Sequence, residues 1–267
     1  MALKSISPEK LRQYIQSHHE KSYLLVDVRQ PEEYQQSHIP GARLLPLPEL
    51  GRSLEQLTSN QELVFYCRSG GRSMAAAAMT EEEGFKGTIY NLTGGMLAWD
   101  GASLTDFPRV ALFAGQHGVE KYKTAMNLEK GAQIFYQTIA RDHADQPWSH
   151  TFAQLAQAEE AHAKSVYRHW QQAGDLVEPF ESIYNGLSGE VLEGGLPLKA
   201  ALQKITAVGK DVCLRAMEMA LQIEYAAFDL YRSLAHQSDT KASQEAFLQL
   251  SQAEKAHMQI LITALDK

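Results

Sequence analysis

Cysteine is nearly absent from this 267-residue chain. Cys67 and Cys213 are the two, and no Cys-x-x-Cys pair occurs. Neither a disulfide framework nor a four-thiolate iron or zinc module can be built from them. Basic charge is also short. The formal net charge is -7, and acidic residues are in excess in both halves, so there is no electrostatic case for nucleic acid or an anionic membrane surface as partner. No uninterrupted apolar run approaches the ~20 residues needed to cross a bilayer. The opening residues, MALKSISPEKLRQYIQSHHEK, lack the apolar core of a signal peptide. Together these absences predict a cytoplasmic protein in a reducing compartment.

What is present divides into two textures. From Met1 to about Pro108 the pattern is α/β. Apolar runs of strand length occur at Tyr23–Val28, Leu63–Cys67 and Gly87–Leu92, the β-rich residues Thr88-Ile89-Tyr90 centring the third. Ser7-Pro8-Glu9 opens a short helix, with Ser7 placed to cap and Pro8 in the first turn. An alanine-rich helix over Ser73–Glu83 follows the second strand. Short buried strands alternating with helices predict a parallel sheet covered on both faces.

The region from Gly94-Gly95 to Phe107-Pro108 ends that pattern, and nothing strand-like follows. Periodicity and propensity predict long helices at about 119–143, 149–173, 206–236 and 240–265. A glycine-rich crossing, Gly174 to Pro197, separates the second from the third. Two helical hairpins joined by one long connection is the ferritin-like form of a four-helix bundle. The predicted organisation is an α/β domain over 1–108, a linker over 109–117 and an all-α bundle over 118–267.

The first domain offers one chemical site. After the second strand comes Cys67-Arg68-Ser69-Gly70-Gly71-Arg72, and Ser73 begins the alanine helix. A thiol held there faces the N–H groups of a curled loop and the positive end of a helix, and two arginines add full charge. Each of these favours thiolate, which makes Cys67 a candidate nucleophile. A free cysteine ending a strand is by default a small buried residue, but a merely packed thiol has no use for Gly-Gly flanked by arginines. The residues up to 108 resemble a single-domain rhodanese. The motifs stand in family order: Asp27-Val28-Arg29, Glu33-Tyr34, His38-Ile39-Pro40-Gly41-Ala42, Cys67 to Ser73, and Gly94-Gly95-Met96-Leu97-Ala98-Trp99. The resemblance implies a sulfurtransferase in which Cys67 carries sulfane sulfur as a persulfide. Arg68 and Arg72, with the loop residues Ser69, Gly70, Gly71 and Ser73, would hold an anionic donor such as thiosulfate. Asp27 and Arg29 are expected to order the scaffold. The rival is a phosphatase of related fold, whose loop is Cys-x5-Arg. Here the spacing is Cys67-x4-Arg72, a shorter ring that suits a persulfide better than a phosphate ester.

The second domain contains a repeat. Phe152 to His162 reads FAQLAQAEEAH and Phe247 to His257 reads FLQLSQAEKAH, an offset of 95 residues. Each copy ends in Glu-x-x-His, which puts a carboxylate and an imidazole on one helix face. The same offset relates Glu129 to Glu224 and Tyr136 to Tyr231. Six candidate metal ligands result: Glu129, Glu159, His162, Glu224, Glu254 and His257. A Glu from each of two helices plus Glu-x-x-His from each of the other two is the di-metal carboxylate pattern, and carboxylates can bridge two cations that would otherwise repel. A single Glu-x-x-His would be read as solvated helix surface; two copies with matched glutamates would not. Glu160 and Glu218 break the repeat and are assigned to outer faces. Tyr136 and Tyr231 are either core aromatics or hydroxyl donors to the ligands.

Residues from about 110 to 267 resemble the rubrerythrin branch of the ferritin-like family, which implies two iron ions, with manganese as the alternative, and reaction with peroxide or dioxygen. Two departures stand out. Rubrerythrins carry a further ligand glutamate one turn past the third-helix one, where this chain has Ala227, and the rubredoxin tail is missing. Electrons are then expected from a separate donor protein. Cys213 is read as a buried helix cysteine. The whole predicts a sulfurtransferase fused to a di-iron unit that reduces peroxide or oxygen, with a small-molecule sulfur donor, a thiol acceptor and a homodimeric assembly. Two other readings remain open: an iron-storage module with an attached sulfur carrier, and a rhodanese domain that only docks on a partner.

Overall fold

The computed structural model describes residues 3–54, 57, 61–172, 178–206, 211–238 and 240–265. They fall into two compact units, Met1–Phe107 and Pro108–Lys267.

The first unit is a five-stranded parallel sheet in the order β1-β5-β4-β2-β3, made by β1 (Leu3–Ile6), β2 (Tyr23–Asp27), β3 (Arg43–Leu44), β4 (Glu62–Tyr66) and β5 (Ile89–Leu92). The helices between them are α1 (Pro8–Ser17), α2 (Pro31–Gln36), α3 (Leu47–Ser53), α4 (Gly71–Glu82) and the short α5 (Gly95–Ala98). All five residues of β2 are buried, and so are the last four of β4. Continuous apolar strands are what a parallel sheet sandwiched between helices requires. Ser7 caps α1 as its sequence predicts, its hydroxyl accepting from the Lys10 N–H at 3.3 Å. Strand β4 lies between β2 and β5, so the residue after it, Cys67, emerges at the carboxyl edge in the middle of the sheet. Ligand sites in open α/β sheets lie at that edge.

The second unit is built on α6 (Val119–Asp142), α7 (Ser149–Gln172), α10 (Val212–His236) and α11 (Lys241–Leu265). Helices α6 and α7 pack as one hairpin, α10 and α11 as the other, and α11 meets α7. The apolar core is in two parts. One contains Met126, Leu128, Val166, Leu230 and Phe247; the other contains Ala132, Phe135, Phe152, Leu155, Ala220 and Leu261. Along all four helices the polar residues Glu129, Glu159–His162, Glu224 and Glu254–His257 fall between these parts. Among the described residues, no helix is long and apolar enough to cross a membrane.

Two expectations change and one is filled in. Residues 109–117, expected as a linker, include a 3-10 turn at Val110–Phe113, and Phe113 is buried in the bundle core. The glycine-rich crossing carries α8 (Phe180–Gly186), and α9 (Leu198–Thr206) follows it. The third long helix begins at Val212, not near 206, with Asp211 at positive φ before it. Positions 173–177 and 207–210 lie outside the described residues.

Candidate thiol site and candidate metal centre

At the first site the backbone curls around sulfur. Gly70 takes φ +100°, the left-handed region that a side chain would strain, and its N–H points at Cys67 Sγ from 3.1 Å. The Ser73 hydroxyl donates to the same sulfur from 3.4 Å. The Asn91 side-chain amide donates to the Gly70 carbonyl at 3.3 Å and holds the loop to β5. Gly95 is demanded by close approach: a Cβ there would lie 2.3 Å from the Cys67 carbonyl oxygen. Burial pushes the Cys67 thiol up. Donation from the Ser73 hydroxyl and from the N–H groups of Ser73, Ser69 and Gly70 outweighs it, and the thiol sits below its ordinary value.

The two arginines are placed differently. Arg68 is exposed, as are Ser69 and Gly71. Arg72 is clamped by Glu33 of α2 through two parallel bonds of 2.7 Å. Those hydrogen bonds, with the guanidinium charge, hold the Glu33 carboxyl down to about 2. Arg72 therefore fastens the loop to α2 while its charge still acts on Cys67. Asp27 and Arg29 form a buried pair, and Arg29 also reaches the Ser37 carbonyl at 2.6 Å. That fixes the chain after β2, the scaffold role expected of them.

At the second site the structure brings all six predicted ligands together. Glu129, Glu159, Glu224, Glu254 and His257 are at most 3 % exposed, and the His162 side chain is 12 % exposed. The imidazoles stack with centroids 4.7 Å apart. His162 Nδ1 lies 3.2 Å from Glu129, 3.1 Å from Glu159 and 3.4 Å from Glu254. His257 Nδ1 lies 3.1 Å from Glu159, 3.1 Å from Glu224 and 3.3 Å from Glu254. Glu159 and Glu254 thus face both histidines, while Glu129 and Glu224 each face one. That is the division between shared and terminal ligands in a two-cation site. The repeat in sequence has become a twofold arrangement in space.

A hydrogen-bond network does not account for this packing. One imidazole nitrogen carries at most one proton and can serve one of three oxygens. His162 Nδ1, Glu129 Oε2, Glu159 Oε2 and Glu254 Oε1 are buried without a hydrogen-bond partner. Four carboxylates in a dry core lose hydration at a cost of several kcal/mol per ion and also repel each other; a cation among them would satisfy every facing atom at once. Carboxylate and imidazole without thiolate suit iron and manganese. With no cation the cluster must keep protons. Burial, with the charges of Glu254 and Glu159, pushes Glu129 up to about 8 against the pull of His162. Glu224 is pushed well up mainly by burial. Burial lowers both histidines, but the carboxylates facing them raise them well above the usual range.

Tyr136 and Tyr231 are both, rather than either, of the roles open to them. They are fully buried and also donate across the bundle, Tyr136 to Glu224 and Tyr231 to Glu129. Each hydroxyl thus orients the glutamate of the other hairpin. Glu218 is exposed, and Glu160 pairs with Lys164 at 2.6 Å on the surface, both outside the centre. Cys213 is half-buried rather than buried, with its thiol raised by that burial.

One residue at the centre has no place in the repeat. Glu193, in the crossing, is 2 % exposed, and one of its carboxylate oxygens lies within 4.8 Å of oxygens of Glu129 and Glu159. Helical periodicity could not find it. The signal available was a lone acid inside the apolar stretch Val191-Leu192-Glu193-Gly194-Gly195-Leu196-Pro197.

Comparison with known proteins agrees with both halves. A family model described as a rhodanese-like domain matches residues 7–102. A putative sulfurtransferase of Bacillus subtilis, YtwF, is 39 % identical over 101 residues, covering 38 % of this chain and 94 % of that protein. The chain belongs to the rhodanese family. A sulfurtransferase of Allochromatium vinosum is 41 % identical over 76 residues, 28 % of this chain and 70 % of its own. The chain spans about half the length of another relative, the putative sulfur carrier protein YrkF of Bacillus subtilis, at 38 % identity over 100 residues. A solved rhodanese-like domain protein from Staphylococcus aureus is 30 % identical over 39 % of this chain and 99 % of its own, with a TM-score of 0.36. The second unit carries a rubrerythrin domain, matched over residues 216–267, the part that holds Glu224, Glu254 and His257. The rhodanese chain is thus a sulfurtransferase-type domain joined to a rubrerythrin-type helical domain.

Proposed function

We propose that Cys67 carries sulfane sulfur as a persulfide and that the bundle holds two iron ions and reduces peroxide or dioxygen. For the first activity, the Cys67 thiolate attacks the outer sulfur of thiosulfate. The sulfur–sulfur bond of the donor breaks, sulfite leaves with the bonding pair, and a cysteine persulfide remains. Attack on its terminal sulfur by a thiol acceptor, or by cyanide in the assay, restores the thiolate. The loop N–H groups and the Ser73 hydroxyl that hold the thiolate also stabilise the anionic persulfide. Arg68, exposed at the loop, draws in the anionic donor. Formation of thiocyanate from thiosulfate and cyanide, lost in Cys67→Ser, tests this. Hydrolysis of an aryl phosphate that disappears in the same variant would favour the phosphatase alternative, and a chain with neither activity would favour a docking role.

For the second activity, the observation that carries the reading is the twofold set in which each imidazole nitrogen faces three carboxylate oxygens. Glu129, Glu159, Glu254 and His162 would hold one ion, and Glu224, Glu159, Glu254 and His257 the other. When bound, the irons would supply electrons by cycling between ferrous and ferric. The chain's own residues bind and orient: Tyr136 and Tyr231 fix the terminal glutamates, and the two apolar core parts exclude water on either side. His162, the one ligand with appreciable exposure, marks the face by which a small oxidant enters. With two cysteines in the chain there is no four-thiolate iron site to refill the centre, so a separate electron donor serves it. Metal analysis giving two ions per chain, with peroxide consumed rapidly by the reduced iron form, is the expected result. Slow iron uptake without peroxide turnover would convert the reading to storage, and fewer than two ions would end it.

A further inference from the structure

The crossing between the hairpins does more than connect them. Residues 190–198 double back on themselves, with Leu198 N–H donating to the Glu190 carbonyl at 2.8 Å and Leu192 N–H to the Leu196 carbonyl at 2.9 Å. Glu193 sits at the tip, where Gly195 turns the chain at φ +75°. The tip is seated by close approach at two points. A Cβ on Gly131 of α6 would lie 2.4 Å from the Val191 carbonyl oxygen, and a Cβ on Gly194 would lie 2.9 Å from the Ala226 side-chain Cβ on α10. Gly131 and Ala226 are themselves 95 residues apart, so the tip rests on equivalent points of the two hairpins. It delivers a carboxylate that is 2 % exposed, whose Oε2 has no hydrogen-bond partner and which faces Glu129 and Glu159. A fifth carboxylate pressed against two others is strongly unfavourable unless a cation lies among them.

We propose that Glu193 is a fifth carboxylate ligand of the metal centre, supplied by the crossing to the ion held by Glu129, Glu159 and His162. The proposal rests on the di-metal reading above. It places a carboxylate at the centre although Ala227, one turn past Glu224, offers none. Charge also gives it a purpose. Four carboxylates cancel two divalent ions but leave two positive charges on two trivalent ones, and a fifth halves that residue. The ferric state, the one reached after oxidant is consumed, gains most from Glu193.

The test uses the full chain, stripped of metal and titrated with Co²⁺ against a competing chelator while visible absorption reports the coordination of each ion. Unsubstituted protein is expected to bind two ions. In Glu193→Gln, which keeps shape and removes charge, one ion should bind at least about tenfold more weakly, since even partners of ligands are worth about 10–100-fold in affinity. Its absorption should change while that of the other ion stays. The metal-free variant should melt no lower than metal-free wild type, because Gln keeps the shape of the buried carboxyl and adds no charge to the cluster. Two ions bound with unchanged affinity and spectra in both Glu193→Gln and Glu193→Ala would overturn the proposal. So would a metal-free Glu193→Gln that melts well below wild type with both ions weakened equally, the signature of a strut. Fewer than two ions in the unsubstituted protein would instead sink the di-metal reading itself.

Discussion

Replacing Tyr231 by Phe isolates one oxygen atom. The ring is fully buried and stacks on Phe247 at 6.2 Å, contacts that Phe keeps. What is lost is the hydroxyl that donates to Glu129 Oε1. The other oxygen, Oε2, faces His162, so the tyrosine fixes which lone pairs of Glu129 are presented to a cation. With metal bound, Glu129 is a carboxylate and the lost bond is charge-assisted, costing about 1.5–3 kcal/mol. For a unit of this size, ~2 kcal/mol lowers the melting temperature by roughly 4–8 °C, and metal affinity should fall about 10–100-fold. Without metal, Glu129 keeps its proton below about 8, the bond is between neutral partners, and the cost drops to about 0.5–1.5 kcal/mol. Calorimetry of the full chain with and without metal, together with chelator competition, measures all three quantities. Tyr136→Phe should behave alike through Glu224. A Tyr231→Phe protein that melts and binds metal like wild type would show that the tyrosines only pack, and would remove the reason for reading their 95-residue step as functional.

Metal removal should make stability depend on pH with a definite sign. Glu129, raised to about 8 when folded against about 4.5 unfolded, lets the folded form bind more protons, so its contribution is lost as pH rises across that window. His162 and His257, raised above 6.5, act in the same direction. The metal-free bundle should melt lower at pH 9 than at pH 6, and the loaded one should change little. At the thiol, Ser73→Ala removes a donor to Cys67 Sγ; the pH midpoint for iodoacetamide alkylation should rise and thiocyanate formation at pH 7 should fall. Gly131→Ala would gain about 0.8–1 kcal/mol in an open helix, but its Cβ meets the Val191 carbonyl at 2.4 Å. Overpacking of that kind costs about 1–3 kcal/mol, so the variant should melt lower than wild type in thermal unfolding.

How much of this was legible in the sequence follows from what repeats and what does not. The central strands declare themselves because burial on both faces forces continuous apolar runs. The edge strands do not: Leu3–Ile6 has two adjacent exposed residues at its centre, and Arg43–Leu44 is two residues long. The loop from Cys67 to Ser73 was readable as an anion-holding turn, yet the partner of Arg72 was not, because Glu33 lies 39 positions away and only the packing of α2 brings it near. The six ligands were readable for a geometric reason. A helix can aim a carboxylate and an imidazole at one point only at fixed spacing, and duplication repeats that spacing. The crossing obeys no such rule, so Glu193 and the hairpin that carries it emerge only from the fold.

Glu193 also changes what the repeat means. A duplicated hairpin on its own would give two equivalent ions, each with one terminal glutamate, one histidine and a share of Glu159 and Glu254. The crossing occurs once between the two copies, so any ligand it supplies must break the equivalence, and it does so on the Glu129 side. The ion there should bind more tightly and favour the trivalent state more than its neighbour. Two resolved steps are therefore expected when metal-free protein is titrated, and Glu193→Gln should draw them together. Two steps equally far apart in both proteins would place the asymmetry elsewhere, in the difference between a His162 that is 12 % exposed and a His257 that is 4 % exposed.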